Sequence, residues 1–327
     1  DPFMQGIVNR FIMAETSLIS VIHHSAEFQN IFRAACAKRG IAPVHLGLAK
    51  HRFSCYRKVL SAHVDHMLAF FDVAIYIIST RARSTPEYRV ALQFLEEPTD
   101  VRVQLAMMCD ATEEVMELLR YVDDDNPDLA LVSAECASFA EKVKYMWLQG
   151  GAFKLEGYTT LMLKNLATPV TYQIEGRMVT TCGVSGLDCT HPLVRTCAGR
   201  MQCWVALATL TLQTKFPSFE LCQAFTALAL GESRKHDRTD PAFMVHLQRL
   251  GRAFDLKPDD LARQLKAFKP AASAAYAAGM SALESWRQSV FRKTRSTVPG
   301  DALRTVLVKY AACTVSTHRI DSSFSIV

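Results

Sequence analysis

Three consecutive aspartates, Asp123, Asp124 and Asp125, place three carboxylates within one short segment of the chain. Carboxylate oxygens are the ligands that hard divalent cations take in proteins, so this segment is a candidate metal site. The other interpretation is a solvated turn, because acidic side chains are favourable near helix N-termini. The residue pattern favours the turn and leaves the metal site open.

The ten cysteines are scattered, and no two of them form a Cys-x-x-Cys pair. Zinc ribbons and thioredoxin-like redox sites need such pairs, so neither is predicted. The densest group combines four cysteines with one histidine: Cys182, Cys189, His191, Cys197 and Cys203. Its spacing fits no standard zinc motif, which favours free thiols in a reducing compartment over a metal site.

Two histidines, His63 and His66, lie three residues apart on a predicted helix, a spacing that can place two metal ligands on one face. No acidic partner or third histidine is evident to complete such a site. We therefore expect two histidines on the helix surface, with the ligand pair as the alternative.

Composition narrows the class of protein only slightly. Half of the 327 residues are apolar and 21% are charged, which is typical of a globular protein with more than one structural unit. The net charge of +5 permits a nucleic-acid partner without requiring one. No signal peptide is visible, and the longest apolar run, residues 67–78, contains Asp72 and is too short to span a bilayer. We expect a soluble intracellular protein without membrane contact.

The two ends of the sequence bear on its completeness. It begins with Asp1 rather than an initiator methionine and stops at Ile326-Val327. We expect that it is a piece of a longer protein.

The clearest structural pattern is a predicted helical hairpin over residues 104–146. Apolar residues recur every three or four positions on both sides of the aspartate turn, as on one face of an amphipathic helix. Asn126 is a suitable N-cap for the second helix, and Pro127 suits its first position.

Helical patterns cover most of the remaining chain, so the predicted fold is mainly α. They occupy residues 3–22, 26–39, 56–71, 86–95, 193–215, 218–230, 241–254, 258–268 and 271–291. A short strand is predicted at residues 44–48. Residues 168–191 contain Pro, Gly and β-branched residues and are predicted to form a loop with at most one short hairpin.

Three stretches, in this order, resemble the C-terminal half of hAT-superfamily transposases. Residues 50–54 (Lys-His-Arg-Phe-Ser) resemble the family's Thr-Arg-Trp/Phe-x-Ser element, with His51 in place of the threonine. Residues 118–123 and Pro127 are similar to its leucine-arginine-x-x-aspartate … proline hairpin. Trp286, a basic spacer, residues 303–309 and residues 321–325 are similar to its closing pattern of Trp, a short strand and Ser-x-x-x-Glu-Arg-x-Phe-Ser.

The resemblance implies a mainly α chain that combines a helical insertion with a remnant of an RNase H-like α/β domain. The implied domains are an RNase H-like remnant with the hairpin (1–167), the insertion (168–285) and a dimerisation segment (286–327). The half-sheet of the remnant would use strands near residues 44–48 and 306–310, which should meet in space. Residues 168–268 match the family only as an unspecific helical insertion, and no subfamily is implied.

The family's catalysis uses three carboxylates that hold two Mg²⁺ or Mn²⁺ ions for DNA strand transfer. Its first two aspartates, its Cys-x-x-His element and its zinc finger have no counterpart in this sequence. The third acid falls on Asp321, the one catalytic and metal-binding candidate, where the family has a longer glutamate; Ser322 replaces the arginine that follows. We therefore expect no catalysis and no cofactor for this chain alone. The other interpretation of Asp321 is an exposed acid near a helix start.

The resemblance also implies a nuclear homodimer that contacts the backbone of double-stranded DNA. The DNA-binding candidates are basic residues: Lys50, Arg52, Arg292, Lys293, Arg295 and Arg319. The dimerisation candidates are apolar or aromatic: Leu303, Val306, Leu307, Tyr310 and Phe324. The alternatives to DNA contact are a solvated basic surface and, for Arg52 and Phe53, a packing contact at the start of a helix.

Two other functions stay open. A helical protein-interaction scaffold, derived from a transposase but without DNA activity, would carry its largest apolar patch on the insertion helices. An unrelated helical enzyme is the least supported, because the sequence shows no nucleophile–base pairing, glycine-rich phosphate loop or metal-ligand spacing.

Overall fold

The computed structural model describes residues 1–13, 17–46, 54–122, 128–215, 219–230, 241–291 and 299–312. The fold is mainly α, as predicted. Its helices are α1 (Pro2–Ile7), α2 (Leu18–His23), α3 (Ala26–Lys38), α4 (Ser54–Asp65), α5 (Met67–Thr80), α6 (Pro86–Leu95), α7 (Thr99–Val122), α8 (Leu129–Leu148), α9 (Tyr158–Leu166), α10 (Pro192–Lys215), α11 (Phe219–Ala224), α12 (Pro241–Phe254), α13 (Pro258–Ala277), α14 (Ala282–Phe291) and α15 (Asp301–Ala312). A π-helical turn (Val8–Met13) and two 3-10 turns (Gly151–Phe153 and Phe225–Leu228) complete the helical part.

The two helices predicted over residues 104–146 are confirmed as α7 and α8. An ion pair joins them, with 3.3 Å between Lys142 Nζ and Glu114 Oε2. The start of α8 differs from the prediction, because Asp128 occupies the N-cap position and accepts a hydrogen bond from Ala130 N at 3.0 Å. The predicted cap Asn126 and the three aspartates before it lie outside the described residues.

The chain divides into two compact units. Unit 1 consists of Asp1–Met116 and Glu141–Leu207, and unit 2 of Glu117–Ala140 and Ala208–Val327. These limits do not coincide with the domain boundaries predicted after residues 167 and 285. The insertion predicted for 168–285 is instead divided between the two units.

Unit 1 is organised around the strongly apolar helix α5. Its residues Phe70, Phe71 and Ile77 are fully buried. The only charged residue of this helix, Asp72, accepts a hydrogen bond at 2.9 Å from the Arg39 guanidinium at the end of α3. The apolar run of residues 67–78 is therefore a core helix, and its acid is neutralised by an ion pair.

The hairpin predicted within residues 168–191 is present in unit 1. Strands β1 (Pro169–Ile174) and β2 (Arg177–Cys182) pair antiparallel, with Pro169 opposite Cys182 and Ile174 opposite Arg177. The two-residue turn has φ of 54° at Glu175 and 74° at Gly176. Positive φ at both turn residues is the geometry that matches the twist of two paired strands, and glycine adopts it without strain.

Unit 1 buries several charged side chains. The guanidinium of Arg102 lies between the rings of Phe71 and Phe94, 4.7 and 4.9 Å from their centroids. It donates hydrogen bonds to the carbonyl oxygens of Phe94 and Glu97. Burial lowers the pKa of Arg102 to about 10, which still leaves it charged at neutral pH.

A second buried charge in unit 1, Asp110, caps helix α9. Its carboxylate accepts hydrogen bonds from Tyr158 N at 2.8 Å, Thr159 N at 2.9 Å and the Thr159 hydroxyl at 2.6 Å. The helix begins after Gly157, where a Cβ would lie 2.8 Å from Asp110 Oδ1, so glycine makes room for the cap. Burial raises the pKa of Asp110 and opposes these hydrogen bonds, which lower it.

Unit 2 packs its helices around an apolar core. The buried side chains include Phe225, Leu247, Leu261 and Trp286. Helix α13 differs from the prediction, since it runs unbroken through Pro270 where two helices were expected. Proline removes one backbone hydrogen bond from a helix. Phe268 and Ala272, two residues before and two after Pro270, are both buried, which favours a continuous helix.

The strands expected for an RNase H-like half-sheet are wrong where the structure describes them. Residues 306–310 lie within α15, and residues 44–46 have no regular structure. The apolar positions of α15 are spaced by three and four residues, which is helical periodicity. Within the described ranges, β1 and β2 form the only sheet.

Candidate functional site

An open, largely apolar groove lies between α14 and α15 in unit 2. It has a volume of about 770 Å³. Trp286 and Leu307 line it and are buried, whereas Leu283, Phe291 and Val308 line it and remain 43%, 45% and 55% exposed. Large apolar side chains gathered at an open surface are typical of interaction sites.

Hydrogen bonds fix α14 in place. Trp286 Nε1 donates to Leu228 O at 3.0 Å, so the floor of the groove is tied to the 3-10 turn before it in sequence. The Arg304 guanidinium donates to Val290 O at 3.2 and 3.1 Å and thereby satisfies a carbonyl at the end of α14.

Helix α15 is anchored at both ends. Leu303 N donates to the side-chain oxygen of Gln264 at 2.8 Å, which satisfies a backbone donor in its first turn. The Tyr310 hydroxyl donates to the Asp128 carboxylate. Burial and the negative charge of Asp128 both raise the pKa of Tyr310, so this hydroxyl keeps its proton. The groove is therefore a supported surface rather than a gap between loose helices.

Both signs of charge occur on the two helices of the groove, and Glu284 and Arg287 of α14 line it. Arg287 Nε and Glu284 Oε2 of α14 are 3.1 Å apart. Arg304 Nη1 and Asp301 Oδ1 of α15 are 3.8 Å apart, and the Arg304 guanidinium lies 5.8 Å from the Phe291 ring centroid. Lys309, near the C-terminal end of α15, is exposed.

Four of the residues predicted for dimerisation lie in the core of unit 2. Leu303, Val306, Leu307 and Tyr310 are at most 4% exposed and pack among buried side chains of the same chain. The exposed apolar part of α15 is instead Val308, on the side that faces the groove. The homodimer itself stays a prediction.

The other predicted site residues cannot be placed. The catalytic candidate, the six DNA-binding candidates and the last dimerisation candidate all lie outside the described residues: Asp321, Lys50, Arg52, Arg292, Lys293, Arg295, Arg319 and Phe324. Among the basic residues of the tail that are described, Arg287 and Arg304 have the acidic and carbonyl partners given above.

Protein-family models, curated proteins and solved structures contain no match to this chain. In the part of the chain that the structure describes, no single helix is long and apolar enough to cross a membrane. Arg57–Asp65 and Met67–Thr80 together have the required length and composition, but they are bent by 77° at the break between them.

The prediction for His63 and His66 is wrong in one respect. The two side chains are 4% and 8% exposed, so neither lies on a helix surface facing solvent. His66 follows the last residue of α4, and its Nε2 lies 2.9 Å from Ala42 O. His63 remains within α4, and its ring contacts Phe11 edge-on, with 4.9 Å between the centroids. The signal for burial is the helical spacing of His63 from the apolar residues Val59 and Met67.

The cysteine-rich segment contains thiols in different environments. Cys197 is buried and donates to Asp100 O at 3.4 Å, whereas Cys189 and Cys203 are exposed. Burial raises the pKa of Cys197 to about 11, so it is a protonated thiol at neutral pH. Among the described residues, no three His, Cys, Asp or Glu side chains are placed to hold a metal ion.

Proposed function

We propose that this chain is an association module in which the α14–α15 groove binds a second copy of itself. The observation that supports the proposal is the groove: three large apolar side chains exposed on two helices that are hydrogen-bonded into a core. In this proposal the chain is the C-terminal part of an hAT-like transposase, or of a protein derived from one, and it acts in the nucleus. The resemblance assigns dimerisation to residues 286–327, and seven of the nine groove residues lie there.

A second copy fits the groove because the charges on α14 and α15 include both signs. A two-fold axis brings the same patch of both copies together, so a patch with one sign of charge would repel itself. Each helix here carries an acid and a base, Glu284 and Arg287 on α14 and Asp301 and Lys309 on α15. An antiparallel arrangement sets the acidic start of each α15 toward the basic end of the other copy's α15.

The proposed role on DNA is backbone contact without catalysis. It is supported by the basic tail and the net charge of +5. The Mg²⁺- or Mn²⁺-dependent chemistry belongs to the intact family enzyme, in which Asp321 corresponds to one of three acids. Binding to a random-sequence duplex should then weaken steeply between 50 and 200 mM salt, and no binding at low salt would remove this part of the proposal.

The dimer is tested by sedimentation velocity on the wild-type chain and on Val308→Glu. A charge in the middle of a desolvated interface costs about 2 kcal/mol or more, so the dissociation constant should rise by about thirtyfold or more. Val245→Glu is the matched control, because Val245 is an exposed helical valine of unit 2 that does not line the groove. It should leave the dimer intact.

Two results would contradict the proposal. A wild-type chain that sediments as a monomer at 100 μM has no useful affinity for itself, and the interaction scaffold with a different partner would then be the better interpretation. A dimer that Val308→Glu and Val245→Glu affect equally would associate through another surface.

A further inference from the structure

A small cavity in unit 1 is lined by a histidine that forms no hydrogen bond. The cavity has a volume of about 190 Å³ and lies between the N-terminal π-helical turn, α4 and α6. Phe11, Leu18 and Phe94 form its apolar wall and are at most 6% exposed. Val90 is a half-buried lining residue at its outer side.

His63 is the unusual part of this wall. Neither of its ring nitrogens has a hydrogen-bond partner among the residues that the structure describes. Burial and the positive charge of Arg102 lower the pKa of His63 to about 3, so the ring is neutral at physiological pH. A neutral imidazole has one N–H donor and one acceptor nitrogen, and leaving both unsatisfied in a core costs free energy.

The orientation of the ring allows a nitrogen to face the cavity. A half turn about the Cβ–Cγ bond exchanges carbon and nitrogen positions while the outline of the ring stays the same. His63 can therefore present either edge to the cavity without moving its aromatic neighbours.

The charged residues of the cavity are already paired with each other. Glu97 has a side chain that is 1% exposed, and both its oxygens bond the Arg10 guanidinium, at 2.9 and 2.7 Å. Burial raises the pKa of Glu97, whereas the charges of Arg10 and Arg102 lower it. An ionic ligand would have to break this pair or enter without a charged partner, and either is costly in a buried site.

We propose that this cavity binds a small uncharged aromatic molecule that carries one hydroxyl or ring nitrogen, which hydrogen-bonds to His63. The size fits, because an apolar cavity of about 150 Å³ accommodates one benzene ring. The neutral polar residues Ser17 and Gln93 also line the cavity. The phenylalanine walls suit a planar ring, and the imidazole supplies a buried polar contact that fixes its orientation. The site is independent of the association surface in unit 2.

The test compares phenol with toluene as probes, using calorimetry on the whole chain. The two molecules have the same shape, and only phenol has a hydroxyl. Phenol should bind with a dissociation constant on the order of 0.1–1 mM, and about tenfold more tightly than toluene, because it alone satisfies His63. In a spectrum of ¹⁵N-labelled histidines, phenol should shift the ring nitrogens of one residue, which His63→Phe identifies.

Two variants locate the site. His63→Phe should abolish the preference for phenol over toluene, since the hydrogen-bonding group is lost. Val90→Phe should block both probes by filling the outer side of the cavity while His63 stays in place. Val245→Phe, the same change at an exposed valine outside unit 1, should bind both probes like the wild-type chain.

Three results would overturn the proposal. Equal affinity for phenol and toluene would mean that His63 takes no part in binding. Unchanged binding to Val90→Phe would place the probes elsewhere. No binding of either probe to the wild-type chain would show a cavity that holds water only.

Discussion

Unit 1 and unit 2 satisfy the polar groups of their cores in opposite ways. Unit 1 buries the charged side chains Glu97, Arg102 and Asp110, and each is held by hydrogen bonds or an ion pair. Among the described residues of unit 2, the fully buried polar side chains are neutral, and Gln264 is the largest. Both units expose large apolar side chains, but three of those in unit 2 line one groove, between α14 and α15.

This difference implies that the two units are stabilised by different kinds of interaction. A buried charge tolerates few alternative partners, so it selects one arrangement of its neighbours, although it adds little net stability. An exposed apolar surface is stabilising only when something covers it. Unit 1 is therefore expected to be complete in itself and sensitive to internal substitutions, whereas unit 2 is expected to gain stability from a partner.

The largest effect should follow from Arg102→Met. This change removes both hydrogen bonds to the carbonyls of Phe94 and Glu97 and one charge from beside Glu97. The free energy of unfolding of unit 1 should fall by about 3–5 kcal/mol, as measured by amide hydrogen exchange of its peptides. Arg252→Met, at an exposed arginine, should change stability by no more than about 0.5 kcal/mol. A small effect at Arg102 would mean that methionine packs as well as the charge.

A smaller effect should appear when pH is lowered. The pKa of His63 falls from 6.5 in the unfolded chain to about 3 in the folded chain. Between these values only the unfolded chain binds the proton, so stability decreases as pH falls, by up to about 1.4 kcal/mol per pH unit. From pH 6.5 to 5 we expect a loss of about 1.6 kcal/mol in urea denaturation.

The control for this pH dependence is His63→Phe, which should show a flatter profile over the same range. The raised pKa values of Glu97 and Asp110 act with the opposite sign, since these groups gain protons more readily in the folded chain. They are present in both proteins, so the difference between the two profiles isolates His63. Parallel profiles would contradict the expected burial of a neutral ring.

The smallest effect should come from unit 2, with Tyr310→Phe. It removes the hydroxyl that donates to Asp128 and keeps the ring in the core, so the expected loss is about 1.5 kcal/mol, seen as faster hydrogen exchange in α15. Tyr145→Phe, at a tyrosine that is 41% exposed, should change little. A loss as large as that of Arg102→Met would remove the contrast between the units, because unit 2 would then depend on a buried charge as well.

Much of the helical architecture could be predicted because periodicity and caps are local signals. Ser25 caps α3, and Gly40, with φ of 66°, follows its end. The strand that the family pattern predicts at residues 306–310 is wrong. The deciding feature is the spacing of the buried residues Leu303, Val306, Leu307 and Tyr310. That spacing is helical and would have placed Val308 on the opposite, exposed side.

The features that could not be predicted depend on contacts distant in sequence. The local sequence around Arg102 does not distinguish it from an exposed arginine of a helix, because its burial depends on Phe71 and Phe94. Glu97 and Arg10 are 87 residues apart, so their ion pair has no local signal. The cavity beside His63 is likewise defined by three separate segments. The groove was not predicted either, because the family pattern predicts a strand at residues 306–310, where the structure has α15.

The division of the chain also limits how the protein can be made and cut. The boundary between the units is crossed three times, after Met116, Ala140 and Leu207, each time within a helix: α7, α8 and α10. During synthesis, unit 1 cannot be completed until residue 207 has left the ribosome, and residues 117–140 must wait for the segment that begins at Ala208. A shortened gene that encodes all residues of one unit therefore also encodes a segment of the other. Producing one alone requires circular permutation or joining segments that are separate in the natural chain.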